Sequence, residues 1–347
     1  MKTTRAYAVV AALALAAAIP TASASAQAVK ITPLGSHAGE LCANDRALLF
    51  EDPTGVRILY DAGRTVAGND ARLGDVHVVL LSHAHGDHIG DTKPSGPNAG
   101  TCDQPETISA VPHSNTAEIA AAKNSALVVS NDMGAFLGRK VQNIKGTETA
   151  ACPTVGLRRE MTVPRSAPCV GGLQLGGKRM VKDFGHDTGV TIALVQADHS
   201  NNVPRSLLAE PGRAALTPDN LTAYVGHANG YVVTFTNGLK VYLSGDTAVM
   251  SDMKTIIGGF YRVNLAVMNM GAVAMQGEEA AFAVDELIQP AAVIASHVNE
   301  GATKGGQVIA GTKTRQFIDL VKGRPVHVPL SGRTMQFDGG GKCVAGC

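Results

Sequence analysis

The apolar positions fall into short runs separated by polar turns. "AVKITPLG", "RALLFED", "VRILYDAG" and "VHVVLLS" are rich in aliphatic and β-branched residues and end at Gly, Asp or Ser, which predicts strands. "NTAEIAAAKN" and "NDMGAFLGRKVQ" carry apolar residues at helical spacing. Each opens on an Asn or Asp suited to capping, so both are predicted to be short helices. A second strand-rich half begins near Lys178 with "TIALVQA", "GYVVTFTNGLKVYLSG", "LAVMNM" and "AAVIAS". Within it, Asn237-Gly238 predicts a two-residue hairpin turn with positive φ. "GEEAAFAVDELIQ" and "KTRQFIDLVKG" predict helices, the last ending at its glycine. Lys93–Pro105 is a loop rich in Gly, Pro and Asn, and Cys152–Gly177 is irregular and predicted to be a surface insertion. No repeat and no linker divides the chain. The economical architecture is one domain of two β-rich layers with helices outside.

The amino terminus has a different pattern. Lys2 and Arg5 precede the apolar run Ala6 to Ile19, Pro20 breaks it, and "TASASAQA" follows. Ala24 and Ala26 have the spacing of a signal-peptidase site, so residues 1–26 are expected to be a cleaved signal peptide and the mature chain to be periplasmic or secreted. The alternative is a retained anchor, but the run is shorter than the roughly 20 residues a spanning helix needs. Stable membrane association after cleavage is therefore not expected.

Export changes the meaning of Cys42, Cys102, Cys152, Cys169, Cys343 and Cys347. An even number of cysteines in an exported chain reads as disulfides, with Cys152–Cys169, Cys343–Cys347 and Cys42–Cys102 the preferred pairs among about 15 possible pairings. The rival is a zinc–thiolate site, and no CxxC pair supports it. A formal charge of +1, with aromatics at 4% and no Trp, argues against a nucleic-acid partner and leaves a small-molecule substrate. Oligomeric state is not written in these features.

The chemistry gathers in "LLSHAHGDHIGD", Leu80 to Asp91, which holds three of the chain's 11 histidines. His83 and His85 stand two apart, so an extended backbone points both imidazoles to one side. Gly86 permits a tight turn, and Asp87 and His88 then address the other side of it. Three later strand-like runs also deliver a metal-type side chain just past their ends: "TIALVQAD" runs into His199, "KVYLSG" into Asp246 and "AAVIAS" into His297. A lone histidine after a strand is more often structural, but four such ends plus the cluster favour metal. Imidazole and carboxylate are ligands that zinc accepts.

"SHAHGDH", followed in order by His199, Asp246 and His297, resembles the HxHxDH signature and later ligands of the metallo-β-lactamase superfamily. "GYVVTFTNGLKVYLSGDTAVMSDMKTI" and "NLAVMNMGAVAMQGEEAAFAVDELIQPAAVIASHVNEG" are similar to a branch of metal-dependent hydrolases near the lactonases of ascorbate-6-phosphate type. The resemblance covers most of Val29 to Val328 and implies an α/β αββα sandwich, two mostly antiparallel sheets flanked by helices, over residues 29–338. The insertion at 152–177 and the cysteine-bearing tail at 339–347 depart from it. It further implies that His83, His85 and His199 hold one ion, that Asp87, His88 and His297 hold a second, and that Asp246 bridges them. Two Zn²⁺ are implied, with Mn²⁺ or Fe²⁺ as other divalent candidates. The implied reaction is hydrolysis, in which hydroxide between the ions attacks an ester, lactone, amide or phosphodiester centre and Asp87 also orients the nucleophile.

Two rivals remain at this point: an iron-dependent oxidoreductase of the same fold, and a non-catalytic metal-binding protein. Retention of both Asp87 and His88, and of all seven ligand positions, weighs against them. His227 in "GHANGY" is a candidate acid or substrate contact, His37 in "LGSHAG" a candidate near-site residue and Asn299 a candidate substrate contact, each on a loop. His77, His113, His186 and His327 lack a partner pattern and read as structural.

Overall fold

The apolar runs assemble into two eight-stranded sheets. A computed structural model describes residues 1–3 and 27–347; the expected signal peptide therefore lies almost wholly outside the described residues. In chain order the strands of the first half are β1 (Val29–Leu34), β2 (Ala47–Glu51), β3 (Arg57–Tyr60), β4 (Val78–Leu80), β5 (Ala126–Leu127), β6 (Met161–Val163) and β7 (Cys169–Val170). The second half supplies β8 (Lys178–Asp183), β9 (Val190–Gln196), β10 (Asn229–Thr234), β11 (Lys240–Leu243), β12 (Leu265–Asn269), β13 (Ala292–Ser296), β14 (Val326–His327), β15 (Met335–Phe337) and β16 (Cys343–Ala345). One sheet has the order β16-β15-β1-β2-β3-β4-β5-β7, and the other β14-β13-β12-β11-β10-β9-β8-β6.

Each sheet joins an antiparallel part to a parallel part. β1 to β3 pair antiparallel, then β3, β4, β5 and β7 run parallel. β8 to β11 pair antiparallel, then β11 to β14 run parallel. Two successive antiparallel steps leave β9 pointing the same way as β11, so β9, β11, β12 and β13 all end on one sheet edge. Loops leaving such an edge are free to carry chemistry on a rigid support.

Burial explains why the central strands read as continuous apolar runs and not as alternation. Phe50, Ile58, Tyr60 and Leu80 of one sheet pack on Ile192, Tyr231, Val241 and Val267 of the other. The opposite face of the first sheet, with Leu49, Leu59 and Val79, packs on Ile119, Leu137 and Val141. The opposite face of the second, with Tyr242, Ala266 and Val293, packs on Ile257, Val284 and Phe317. Four layers result, helix–sheet–sheet–helix, the αββα sandwich that the resemblance implied, but the sheets are mixed and not mostly antiparallel, because the crossover helices set neighbouring strands parallel.

Besides a five-residue helix at Gly212–Leu216, the helices are α1 (Gly86–Ile89), α2 (Asn115–Lys123), α3 (Asn131–Lys145), α4 (Met253–Tyr261, π-helical), α5 (Gly277–Phe282, continued by a π-helical stretch Ala283–Ile288) and α6 (Lys313–Leu320). The caps differ from expectation. Ser114 caps α2 by accepting from the Ala117 amide, and Ser130 precedes α3. Asn115 is instead buried, donating to Gly63 O at 2.8 Å. α6 stops at Val321, before Gly323. The hairpin at Asn237-Gly238 closes through Phe235 N to Leu239 O, so its loop has three residues and only Gly238, at φ 95°, is left-handed. That is a turn followed by a bulge glycine, a common three-residue solution.

The 152–177 stretch is more integrated than a surface insertion. It supplies an edge strand to each sheet, β6 to one and β7 to the other, and Cys152, Met161, Cys169 and Leu173 enter the intersheet core. The residues after 338 are not a loose tail either, since β16 pairs with β15. The cysteines form Cys42–Cys102, Cys152–Cys169 and Cys343–Cys347, with none free, which removes the zinc–thiolate alternative. No helix of the described residues is long and apolar enough to cross a membrane.

Tyr231 crosses this core and donates from Oη to Leu81 O at 2.8 Å, just before the His83 loop. Tyr231→Phe is expected to cost about 1 kcal/mol, because the buried carbonyl then keeps only the longer bond from Asn229 Nδ2 at 3.4 Å. Urea denaturation of the two proteins measures it; equal midpoints would mean this hydrogen bond does not hold the loop.

Candidate metal centre

Six strand ends frame one corner of the sandwich. β4 leads through Leu81 and Ser82 to His83, and the extended step to His85 brings the two rings to 4.5 Å between centroids. α1 then starts at Gly86 and carries Asp87 in its first turn and His88 in its last. Gly86 is needed here for space: a Cβ would meet Asp91 Oδ2 at 2.5 Å and Arg64 Nη2 at 2.7 Å, and those two side chains are themselves bonded at 3.1 Å. β9, β11 and β13 deliver His199, Asp246 and His297. β3 and β12, which the sequence did not mark, deliver Asp61 and Asn269.

All seven predicted ligand residues come together. His83, His85 and His199 offer ligand atoms within 4.8 Å of one another, as do Asp87, His88 and His297, and as do His83, His88 and Asp246. Asp246 Oδ2 stands 3.4 Å from His199 Nε2 and 3.4 Å from His297 Nε2, so it lies between the two groups. Asp87 Oδ2 is 3.2 Å from His297 Nε2 and 3.5 Å from His88 Nε2.

The donor set fits cations. Nε2 of His83, of His88 and of His297 is buried and makes no hydrogen bond. Buried polar nitrogens without partners are costly, and three aimed into one space call for a ligand that accepts lone pairs. Metal binding also needs neutral imidazole and ionised carboxylate. Burial holds the pKa of His83 well below its ordinary value, and burial followed by the neighbouring His199 charge lowers that of His85. His297 is pushed down to about 4 by burial and then by Arg46. For Asp87, burial acts upward, but the charge of His88 and contacts with His297 and Arg46 outweigh it and hold the carboxyl well below the usual range. His88 goes the other way: burial lowers it, and Asp87 and Asp61 more than reverse that.

A surrounding set of side chains fixes the ligands. Asp61 Oδ2 bonds His88 Nδ1 at 2.8 Å and accepts from Ser82 Oγ at 2.7 Å, while its Oδ1 accepts from the Ser82 amide at 2.7 Å. Ser82 Oγ in turn lies 3.0 Å from His83 Nδ1. Asn269 Nδ2 donates to Asp246 Oδ1 at 3.2 Å, and Asn201 Oδ1 holds the Ala84 amide at 2.7 Å. Arg46, its side chain only 2% exposed, donates to Asp87 Oδ2 at 3.1 Å and to Asn299 Oδ1. Asp61, His297 and Asn299 all hold positive φ, at 43°, 53° and 53°. Left-handed non-glycine residues concentrated at one site mark backbone strain that the surrounding packing enforces.

The loop candidates fare differently. Asn299 faces the centre's periphery, with Nδ2 3.3 Å from His297 Nδ1 and its Oδ1 on Arg46, so it positions a ligand. His227 is exposed, and the structure engages its carbonyl, through Asn201 Nδ2 at 3.0 Å, with no bond to its ring. His37 lies against Ser36 Oγ at 3.0 Å and Gly100 O at 3.4 Å, outside the seven. Among the histidines read as structural, His77 Nδ1 accepts from the Arg57 amide at 3.1 Å. Asp61 was discoverable: "VRILYD" is a further apolar strand ending in a carboxylate. Arg46 carried no such signal, because only the fold brings it to Asp87.

The sequence profile of the beta-lactamase superfamily domain matches residues 56–298, which include all seven of these side chains. The chain belongs to that superfamily. It is similar to a metal-dependent hydrolase of Cupriavidus taiwanensis, 28% identical over 235 residues, 67% of this chain and 62% of that protein. A metal-dependent hydrolase of Koribacter versatilis is 28% identical over 252 residues, 71% of this chain and 77% of that protein. One from Agrobacterium fabrum is 26% identical over 315 residues, 89% of this chain and 100% of that protein. Among solved structures, a metallo hydrolase from the archaeon Ignicoccus hospitalis superposes with a TM-score of 0.53 at 20% identity, covering 90% of this chain and 99% of that one. At that identity the likeness concerns the fold.

Two outcomes follow from this geometry. Asp61→Ala frees the His88 ring and is expected to weaken metal affinity about 10–100-fold, read by competition with a chromogenic chelator. Unchanged affinity would separate Asp61 from the centre. In metal-free protein, the unfolded His297 imidazole takes up a proton near pH 6.5 whereas the folded one resists until about 4. The unfolded state therefore binds more protons in that window, and stability falls as pH drops through it. His88, raised in the folded state, acts the other way as pH falls through 6.5, but His83 and His85, both lowered by burial, act with His297 and set the sign. Thermal melting of metal-free protein at pH 7 and pH 5 tests this, a lower Tm at pH 5 being expected.

Proposed function

We propose that this chain, a metal-dependent hydrolase by family, is an exported enzyme that holds two zinc ions and cleaves an ester, lactone, amide or phosphodiester bond of a small molecule. The observation that supports it most is the set of three buried, partnerless Nε2 atoms among two carboxylates. His83, His85 and His199 would hold one ion, Asp87, His88 and His297 the other, with Asp246 between them; manganese(II) or iron(II) suit the same nitrogen and oxygen donors. When bound, such ions supply Lewis acidity and a water that loses its proton near neutral pH.

The chain's own residues do the rest. Asp87 stays ionised through its cationic neighbours, so it accepts a hydrogen bond from the attacking water and fixes its direction. Arg46 and Asn299 keep Asp87 and His297 from rotating away. Asn269 orients Asp246. Val273 is fully exposed on the loop after β12, whose Gly271 carbonyl accepts from Asn299, and offers an apolar flank to substrate. Export is supported by the amino-terminal pattern and by the pairing of all six cysteines, which suits an oxidising compartment.

The test is metal analysis of the purified protein combined with a panel of chromogenic esters, lactones, lactams and phosphodiesters, with and without chelator. Asp246→Ala is expected to keep the far-UV circular dichroism spectrum and to lose at least about 100-fold in turnover. Turnover that survives both chelation and this substitution would exclude the metal mechanism. Cell fractionation, with sequencing of the mature amino terminus, tests export.

A further inference from the structure

We infer that a cleft between α3 and the disulfide-bonded 152–169 segment binds a small anion bearing a phosphate or sulfate group, independently of the metal centre. The cleft has a volume of about 600 Å³, and none of the seven metal-centre residues lines it. Three arginines do: Arg139 from α3, Arg159 from the inserted segment and Arg179 from β8.

Arg179 is the decisive residue. On β8 it shares a face with Val181, which packs in the intersheet core, so an arginine occupies a position where the pattern calls for an apolar side chain. It is 6% exposed; Nη2 donates to Gly172 O at 3.0 Å, and Nε is buried without a partner. None of the three arginines forms an ion pair among the described residues, and the cleft's lining contains a single acidic side chain, the exposed Glu148. Burial, and then the charge of Arg159, both disfavour the Arg179 cation. A buried guanidinium with like charge beside it and no carboxylate is destabilising on its own.

An oxyanion removes that cost. The guanidinium fork matches a tetrahedral or carboxylate oxygen pair, and the charge-assisted bonds so formed are about twice as strong as neutral ones. The amino-terminal end of the 15-residue α3 adds to the field, since Asn131 also lines the cleft and Ser130 Oγ neither caps the helix nor finds another partner. Arg159 is carried to the cleft by the inserted segment, which β6 and β7 fasten to both sheet edges, and there it meets Arg179 of β8. The site is thus a property of this insertion and not of the metal-binding frame.

The experiment is calorimetric titration of the metal-loaded protein with inorganic phosphate, and separately with phenylphosphonate, before and after adding 1,10-phenanthroline. That chelator is uncharged and does not compete for arginines. Wild type is expected to show a binding event that survives the chelator and weakens at least tenfold in the double variant Arg139→Gln, Arg159→Gln. Tighter binding of phosphonate would assign the cleft to a phosphorylated organic molecule, and tighter binding of phosphate to the free ion. Both residues are exposed, so the variant should fold; an unchanged Tm without ligand, together with unchanged hydrolytic activity, checks this. The proposal fails if every binding event disappears with the chelator, or if the folded double variant binds as tightly as wild type.

Discussion

Three imidazole nitrogens buried without partners, facing two carboxylates, form the arrangement on which the rest of the molecule turns. Left to itself such a corner is unfavourable: the nitrogens have lost water and gained nothing, and protonating them is resisted by burial at His83 and His297. The fold nevertheless gathers them in one corner, His88 lying within 4.8 Å of Asp246 and His83 on one side and of Asp87 and His297 on the other. Something elsewhere must offset that cost, and the intersheet core does so. Phe50, Tyr60, Tyr231 and their neighbours are fully buried between the sheets, and burial of apolar surface is the largest favourable contribution available to a chain of this size.

The same core sets the precision of the site. Tyr231 of the second sheet holds the Leu81 carbonyl of the first, and Tyr60 of the first accepts from the Gly245 amide of the second at 3.1 Å. Each tyrosine therefore ties a ligand-bearing loop to the opposite sheet, which couples the positions of His83 and Asp246. Asp61, Asn269 and Arg46 then lock individual rings and carboxylates. Geometry good enough for catalysis needs this outer support, because ligands held only by their own backbone drift.

Against that rigid corner, the 152–177 segment shows how an addition to the frame can acquire chemistry of its own. Its disulfide closes a short loop, its two strands extend both sheets, and the arginine-lined cleft lies along the seam. The charged residue at an inner-face position of β8 stands one strand in from the sheet edge, where it lines the cleft.

The order of apolar runs, the HxHxDH cluster and the strand ends at His199, Asp246 and His297 made both the layered fold and the ligand residues legible in the sequence. Strand burial and metal coordination leave strong local marks: uninterrupted aliphatic runs, and histidines spaced for one face. Helix caps, the three-residue hairpin and the reach of the inserted segment were not legible, because Ser114 displaces Asn115, Gly238 bulges and β6 pairs with β8 only through contacts distant in sequence. Asp61 apart, which ends an apolar run as the ligands do, the partners of the ligands were decided by tertiary structure. Arg46 reaches Asp87 across 41 positions and Asn299 across 253. No periodicity along a chain encodes which side chain arrives beside another when two sheets close, because that depends on the packing of everything between them.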